Sequence, residues 1–385
     1  MWRDRVAPTL ESLDRRRATR VLLIGAAWLC AAAGAALVLG VSLQHRHLGQ
    51  DLAPIYGAGL AARHGRPLYA VPNFVYTPVT ALLAVPLTVV RFTVVSRLYL
   101  GLEVAVVTAV ASVTVARFVP RRWWPVAAGL ASAALLVSNL SVHSLWLENA
   151  SLALTAAALV TVWMFGTDRW LAGCVVLVLS LLIKPLLLPL VLIPLLARRW
   201  RELAIAALGG AALLLGSLAV TRGGERLPDI ARRLLRGSVL VHRASVDNLS
   251  LNGWAHTHGL PPGPILLVRI AVVAVAAWVC AVQVRSHAVL DIPRTAALAS
   301  LLLLATFLAG TLSEIHYLFV VIPGGCAALL ISRRTAVRAA AVVGIGATLV
   351  PLRNLSPTVH QGVLVLAELA FFTAVALALT DVTVG

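Results

Sequence analysis

The amino-acid sequence predicts an all-α polytopic membrane protein, and three observations carry that reading. The 385-residue chain is 60% hydrophobic and only 12% charged, about half the charge of an ordinary soluble domain. Its apolar residues gather into repeated runs of about 17 residues or more, when about 20 residues cross the hydrocarbon core. The arginines recur at the ends of those runs on one side, as topology rules require. One integral-membrane domain over residues 1–385 is expected. It should hold about 10 to 12 transmembrane helices of that length, with interfacial and broken helices on the outer face.

Apolar runs place spans near 20–43, 94–118, 126–142, 149–165, 170–183, 185–197, 203–220, 264–284, 294–312, 316–331, 335–352 and 361–380. Residues 170–197 read as a hairpin or broken helix turning at Lys184–Pro185, because proline ends or kinks a helix. Residues 78–92 are similarly short and dip into the bilayer or lie flat on it. The basic N-terminus, with no small-residue cleavage site after its apolar run, reads as an uncleaved anchor.

With both termini cytoplasmic, Arg117, Arg121, Arg122, Arg169, Arg198, Arg199, Arg201, Arg285, Arg294, Arg333, Arg334 and Arg338 fall on one side. A first outer loop (44–93) and a second (221–263) then face the exterior of the cytoplasmic membrane. Asp51, Glu148, Asp247 and Glu314 lie on that outer side, so the chemistry is expected there. The net charge of +17 does not point to nucleic acid, because the cations are scattered across the inter-helix loops and form no single stripe. The four cysteines sit inside apolar runs without metal spacing and read as buried packing residues.

Asp51 stands where the chain first leaves the bilayer. A carboxylate there can be a solvated loop charge, the N-cap of a helix over "LAPIYGAGLAARHG", or a base. Tyr56, Tyr69 and Tyr76 follow in one stretch; such rings anchor a chain at the interface or stack on sugar rings. In "SEIHYLFVVIP", His316 and Tyr317 follow Glu314 where a span re-enters the membrane. His316 is either a solvated group at a helix end or a substrate contact.

Lys184, the sole lysine of the chain, interrupts two half-length helices. It either snorkels or offers a fixed ammonium to a phosphate. In the second outer loop "LPDIARRLLRG" reads as a short helix. Its Arg232 and Arg236 would rest on lipid head groups or touch a substrate phosphate. "SVDNLSLNGWAHTHGLPPGP" supplies Asn248, Asn252 and Trp254, a set suited to a sugar. Glu148 and Asn149 of "SLWLENASL" are most simply capping groups, with sugar contact as the alternative. No cofactor or metal is expected from these patterns.

The string "DLAPIYGAGLAARHGRPLY…FVYTPVTALLAVPL", followed in order by "KPLLLPLVLIPLLARRWR", "DNLSLNG" and "HY", resembles the actinobacterial glycosyltransferase family 87. That family is integral to the membrane and has the GT-C architecture. The matching positions include Asp51, Tyr56, Gly65, Leu68, Tyr69, Tyr76 and Pro78. The chain departs in carrying one acid at 51 and "YTP" for the commoner "YPP".

The resemblance implies transfer of a sugar from a polyprenyl-phosphate donor to a glycan or glycolipid acceptor at the outer face. Arabinofuranose is the first expectation and mannose the second. Asp51 would act as general base in an inverting reaction, with Lys184, His316 and an outer-loop arginine near the departing phosphate. A lipid-linked sugar transporter and a structural envelope partner are the competing classes. The absence of a clear internal repeat and the gathering of acids at the outer ends of spans argue against the transporter.

Overall fold

The computed structural model describes residues 10–46, 48–116, 119–221, 245, 247–286, 290–350 and 355–381. The helix expected over 227–237, with Arg232 and Arg236, lies outside them. No strand occurs among the described residues, and the protein is an all-α polytopic membrane protein. Six helices are long and apolar enough to cross a bilayer. They are α1 (Leu10–Leu43), through its Arg17–Leu43 part, α4 (Phe92–Ala116), α10 (Trp200–Val220), α12 (Pro262–Ser286), α13 (Ile292–Ala309) and α16 (Pro357–Asp381).

The other apolar runs of the sequence are shorter pieces, which is why the expected count of crossings exceeds the long helices. The run at 126–142 divides into α5 (Trp124–Leu136) and α6 (Asn139–Leu147), bent by 64°. Ser138 makes the break: its hydroxyl donates to the Leu135 carbonyl at 2.6 Å and accepts the Ser141 N–H at 3.3 Å. One side chain thus serves the end of one helix and the start of the next, where lipid offers no substitute partner.

The pause at Lys184–Pro185 has the same character. Helix α8 (Trp170–Ile183) stops at Lys184, whose backbone is extended (φ −149°, ψ 132°), as steric conflict before a proline requires. Residues Pro185–Val191 continue as a 3-10 turn into α9 (Leu192–Leu196). The Leu182 carbonyl at the break accepts from the hydroxyls of Thr77 and Thr80. These two threonines bracket the start of α3 (Pro78–Ala84), which itself tightens into a 3-10 turn over Val85–Val89. The stretch Pro78–Val89 is therefore one short apolar helix, too short to cross a bilayer alone.

Asp51 sits at the N-cap of α2 (Leu52–Arg63), and Gly65 (φ +65°) follows the helix end. Helix α7 (Ser151–Phe165) returns from the turn after α6, and α11 (Leu251–Thr257) is a short helix before α12. Residues Ile315–Val321 form a 3-10 turn that leads into α14 (Ile322–Ile331), followed by α15 (Thr335–Leu349).

Burial sorts the helices. The spanning windows of α13 and α16 are 67% and 61% buried, whereas that of α10 is 17% buried. The first two form the centre of the bundle. Helix α10 shows Leu208, Leu213 and Leu215 to the surface, a face that suits only hydrocarbon.

Gly324 fixes the 315–331 segment against α13. A Cβ there would lie 2.0 Å from Ser300 Oγ and 2.2 Å from the Ala296 carbonyl oxygen. Such backbone proximity is how small residues hold membrane helices together. Gly324→Ala should therefore cost about 1–3 kcal/mol by overpacking. A thermal melt of the purified protein in detergent reads this, and an unchanged midpoint would contradict the packing described.

Candidate functional site

The turn between α6 and α7 builds the site. Glu148 ends α6 in the left-handed region (φ 54°), which swings the chain back so that Asn149 precedes α7. Asn149 is almost wholly buried, and its Oδ1 accepts from the Ser151 N–H at 2.9 Å and from the Ser151 hydroxyl at 2.6 Å. Those two bonds fix the amide orientation. Its Nδ2 can then only donate outward, and it donates to Asp51 Oδ2.

Asp51 is held from the backbone as well. Gly49 N–H donates to the Trp146 carbonyl at 3.0 Å, and Asp51 N–H to the Leu147 carbonyl at 2.9 Å. Gly49 must be glycine for two reasons. Its φ is +75°, and a Cβ would meet Phe92 at 2.9 Å and Glu148 Oε2 at 3.0 Å. Asp51 occupies the N-cap position of α2 but makes no side-chain capping bond. Its carboxylate is turned toward Asn149 and the cavity.

That cavity has a volume of about 260 Å³. Gln50 and Asp51 line it from the first loop, and Asn139, His143, Trp146 and Leu147 from α6. Asp247 and Leu249 line it from the loop before α11, Glu314 to His316 from the segment before α14, and His360, Gln361 and Leu364 from α16. Four polar atoms on these walls are buried and have no hydrogen-bond partner among the described residues: His143 Nδ1, His316 Nε2, His360 Nε2 and Gln361 Oε1. An orphaned buried polar atom costs about 1–3 kcal/mol, so four in one cavity mark a place built for a polar ligand. His316 Nε2 lies 3.2 Å from Glu314 Oε2, close enough for an ion pair but without hydrogen-bond geometry. Among the described residues no group of three His, Cys, Asp or Glu is placed to hold a metal ion.

A cationic corner adjoins. Lys184 Nζ donates to the Tyr317 hydroxyl at 3.0 Å and stands 4.7 Å from the centre of its ring. Tyr76 is buried within electrostatic reach of this corner and of the carboxylates. Burial pushes its phenol up to about 12, nearby Lys184 pulls it back, and Asp51, Tyr317 and Glu314 add to the rise.

Other residues singled out in the sequence do different work. Tyr56 donates to the Val90 carbonyl at 2.9 Å, and Tyr69 to the Tyr76 carbonyl at 2.9 Å. Asn248 is fully buried. Its Nδ2 donates to the Thr311 carbonyl and its Oδ1 accepts from the Ser250 and Ser313 N–H groups, which pins the Asp247 loop to the 311–313 turn. Trp254 packs on the core and on His258. None of these four, nor Asn252, lines the cavity.

His143, His360 and Gln361 were not singled out. Each is a polar residue in or beside an apolar run near the end that carries Asp51, which marks it as a candidate but does not tell which way it faces.

Fold and cavity together define a polytopic membrane protein with a polar, carboxylate-bearing site at one end of its bundle. Residues 74–312 match the model of glycosyltransferase family 87, and the chain belongs to that family. The matched stretch contains Tyr76, Glu148, Asn149 and Lys184, and stops short of Asp51 on one side and His316 on the other. It is similar to the alpha-(1->3)-arabinofuranosyltransferases of Mycobacterium tuberculosis strains H37Rv and CDC 1551. Each is 26% identical over 239 residues, or 60% of this chain and 54% of the relative. The chain thus spans about half the length, 54%, of the curated relatives it matches. No solved structure matches it.

Glu148, in the turn outside the spans, gives a pH signature. Burial raises its carboxyl to about 7, against the Ser96 hydroxyl that donates to it and lowers it. The fold favours the neutral acid, so the stability this group contributes is complete below the ordinary carboxylate range. It is lost as pH rises through about 7. Glu148→Gln should flatten that part of the stability–pH profile. Chemical denaturation across the range checks it, and an identical slope in the variant would contradict it.

Proposed function

We propose that this protein is a membrane glycosyltransferase that moves a sugar, arabinofuranose first, from a polyprenyl-phosphate donor to a cell-envelope glycan. Asp51 is the general base. The observation that carries this reading is the Asp51 carboxylate itself: uncapped, oriented by Asn149, and turned into a cavity with unsatisfied polar walls. The family supports glycosyl transfer, and the names of the mycobacterial relatives favour arabinofuranose.

In the proposed step the acceptor hydroxyl attacks the anomeric carbon from the side opposite the phosphate. Asp51 takes the hydroxyl proton, the new C–O bond forms, and the bond from the anomeric carbon to the phosphate oxygen breaks, inverting the centre. The polyprenyl phosphate leaves with the bonding pair. Lys184 and His316 are assigned to that departing anion, as cations or donors placed where charge develops; the Tyr317 hydroxyl, which accepts from Lys184 beside His316, supports the assignment. Asn149 acts through Asp51 and is a positioning residue.

The Asp51 end of the bundle is taken as the outer face of the cytoplasmic membrane. Arg121, Arg122, Arg169, Arg198, Arg199, Arg201, Arg285 and Arg333 gather at the other end, which supports that orientation. Both termini are then cytoplasmic. The lipid phosphate already activates the sugar, so no nucleotide is needed at the outer face.

Purified protein incubated with polyprenyl-phosphoryl arabinofuranose or mannose and short glycan acceptors should yield the pentosylated product by mass spectrometry. Asp51→Asn should lower kcat about 10²- to 10⁴-fold while still binding donor. A variant that turns over normally, or transport without transfer, would overturn the assignment. Asn149→Ala should lower kcat about 10²-fold through misplacement of the base with little change in the donor KM. An effect confined to KM would remove Asn149 from this role.

A further inference from the structure

The opposite end of the bundle holds a second polar cavity, of about 710 Å³. Arg294 of α13, Arg333 and Arg334 in the turn before α15, and Arg338 of α15 line it. Helix α13 runs 18 residues from this cavity toward the segment that carries Glu314 and His316. The two cavities therefore stand roughly 27 Å apart at 1.5 Å per residue, close to the thickness of the hydrocarbon core.

An excess of arginine at one membrane face is expected from insertion rules alone. Three features go beyond it. First, the acids in the cavity are already committed to the fold. Asp291 accepts the Arg294 N–H at 2.8 Å and caps α13, while Asp381 accepts the Ser332 hydroxyl at 2.9 Å and pairs with Arg334 Nε at 2.9 Å.

Second, cationic groups remain. Arg338 donates its Nε to the Ser332 carbonyl at 2.7 Å, which fixes the guanidinium and leaves its terminal nitrogens for another acceptor. Arg333 is exposed and forms no ion pair among the described residues. Helix α15 begins there without a side-chain cap, so its positive end adds to the same wall.

Third, an apolar slot of about 90 Å³ adjoins, sharing Pro293 and Leu330 with the basic cavity. Val113, Leu159, Trp163 and Ala327, from α4, α7 and α14, wall it. A free phosphate matches the basic cavity alone. A phosphate joined to acyl chains matches both.

We propose that this pair of cavities binds an anionic phospholipid of the leaflet opposite Asp51. Its headgroup phosphate lies between Arg333 and Arg338, and one acyl chain enters the slot beside Trp163 and Pro293. The bound lipid would brace the ends of α13 and α16; the other end of α16 lines the Asp51 cavity, and α13 leads to the segment that carries Glu314 and His316.

Native mass spectrometry of the detergent-purified protein tests this, with phosphatidylglycerol, phosphatidylcholine of the same chains, and glycerophosphate lacking chains as probes. The wild type should retain phosphatidylglycerol about tenfold or more over phosphatidylcholine, and glycerophosphate at equal concentration should not displace it. The Arg333→Gln, Arg338→Gln double variant should lose the preference, and the corresponding Lys pair should keep it. Equal retention of the two lipids by the wild type overturns the proposal, whether or not the variants fold. So does displacement by glycerophosphate, which would mark a free-anion site, or a double variant with the preference intact.

Discussion

The Asn149–Asp51 hydrogen bond is the interaction on which the rest of the site depends. A carboxylate at an N-cap ordinarily turns onto its own helix, a bond worth about 0.5–2 kcal/mol. An amide N–H given to a charged oxygen is worth about 1.5–3 kcal/mol. With Asn149 locked by Ser151, the second bond wins, and Asp51 leaves the α2 backbone uncapped to face the cavity. The close approach that permits it runs through Gly49, where no side chain fits between Phe92 and Glu148.

Broken helices supply much of the rest of the site. The membrane interior cannot solvate a free carbonyl, so each break needs its own partner. Ser138 serves the α5–α6 bend, and Thr77 and Thr80 serve the end of α8. Asn248 ties the loop before α11 to the 311–313 turn. Each repair brings a polar loop to the same end of the bundle. Asp51 and His316 line one small cavity, and Lys184 bonds Tyr317 beside His316, although all are far apart in the chain.

The sequence made the helices legible because apolar runs and proline breaks are local signals. The runs at 94–118, 264–284 and 361–380 fall within two to four residues of α4, α12 and α16, and the Lys184–Pro185 break was placed from proline alone. The 64° bend at Ser138 was missed, since one serine in an apolar run carries no marker for a turn. In the site, Asp51 and His316 stood out as charged or titratable groups at span ends.

The inward-facing walls did not stand out. Whether His143, His360 and Gln361 look into a cavity depends on helix rotation, which a run hydrophobic all round does not encode. Tyr56 and Tyr69 read as interface anchors or sugar platforms, and their hydroxyls answer the Val90 and Tyr76 carbonyls, a demand visible only once the backbone is folded.

The two ends of the bundle divide the chemistry. One gathers carboxylates and imidazoles around a cavity with unsatisfied walls; the other gathers guanidiniums around a cavity that shares Pro293 and Leu330 with an apolar slot. Helices α13 and α16 run between them and are the most buried spans. The central claim is that Asp51 receives the proton of the attacking hydroxyl. A cryo-electron microscopy structure of the protein with an unreactive donor analogue and a short acceptor tests it most directly. The account predicts the acceptor oxygen within hydrogen-bond reach of the Asp51 carboxylate, about 2.6–3.2 Å, with the donor phosphate on the opposite side of the sugar. An acceptor bound elsewhere, with Asp51 still turned to Asn149 and no sugar beside it, would contradict it.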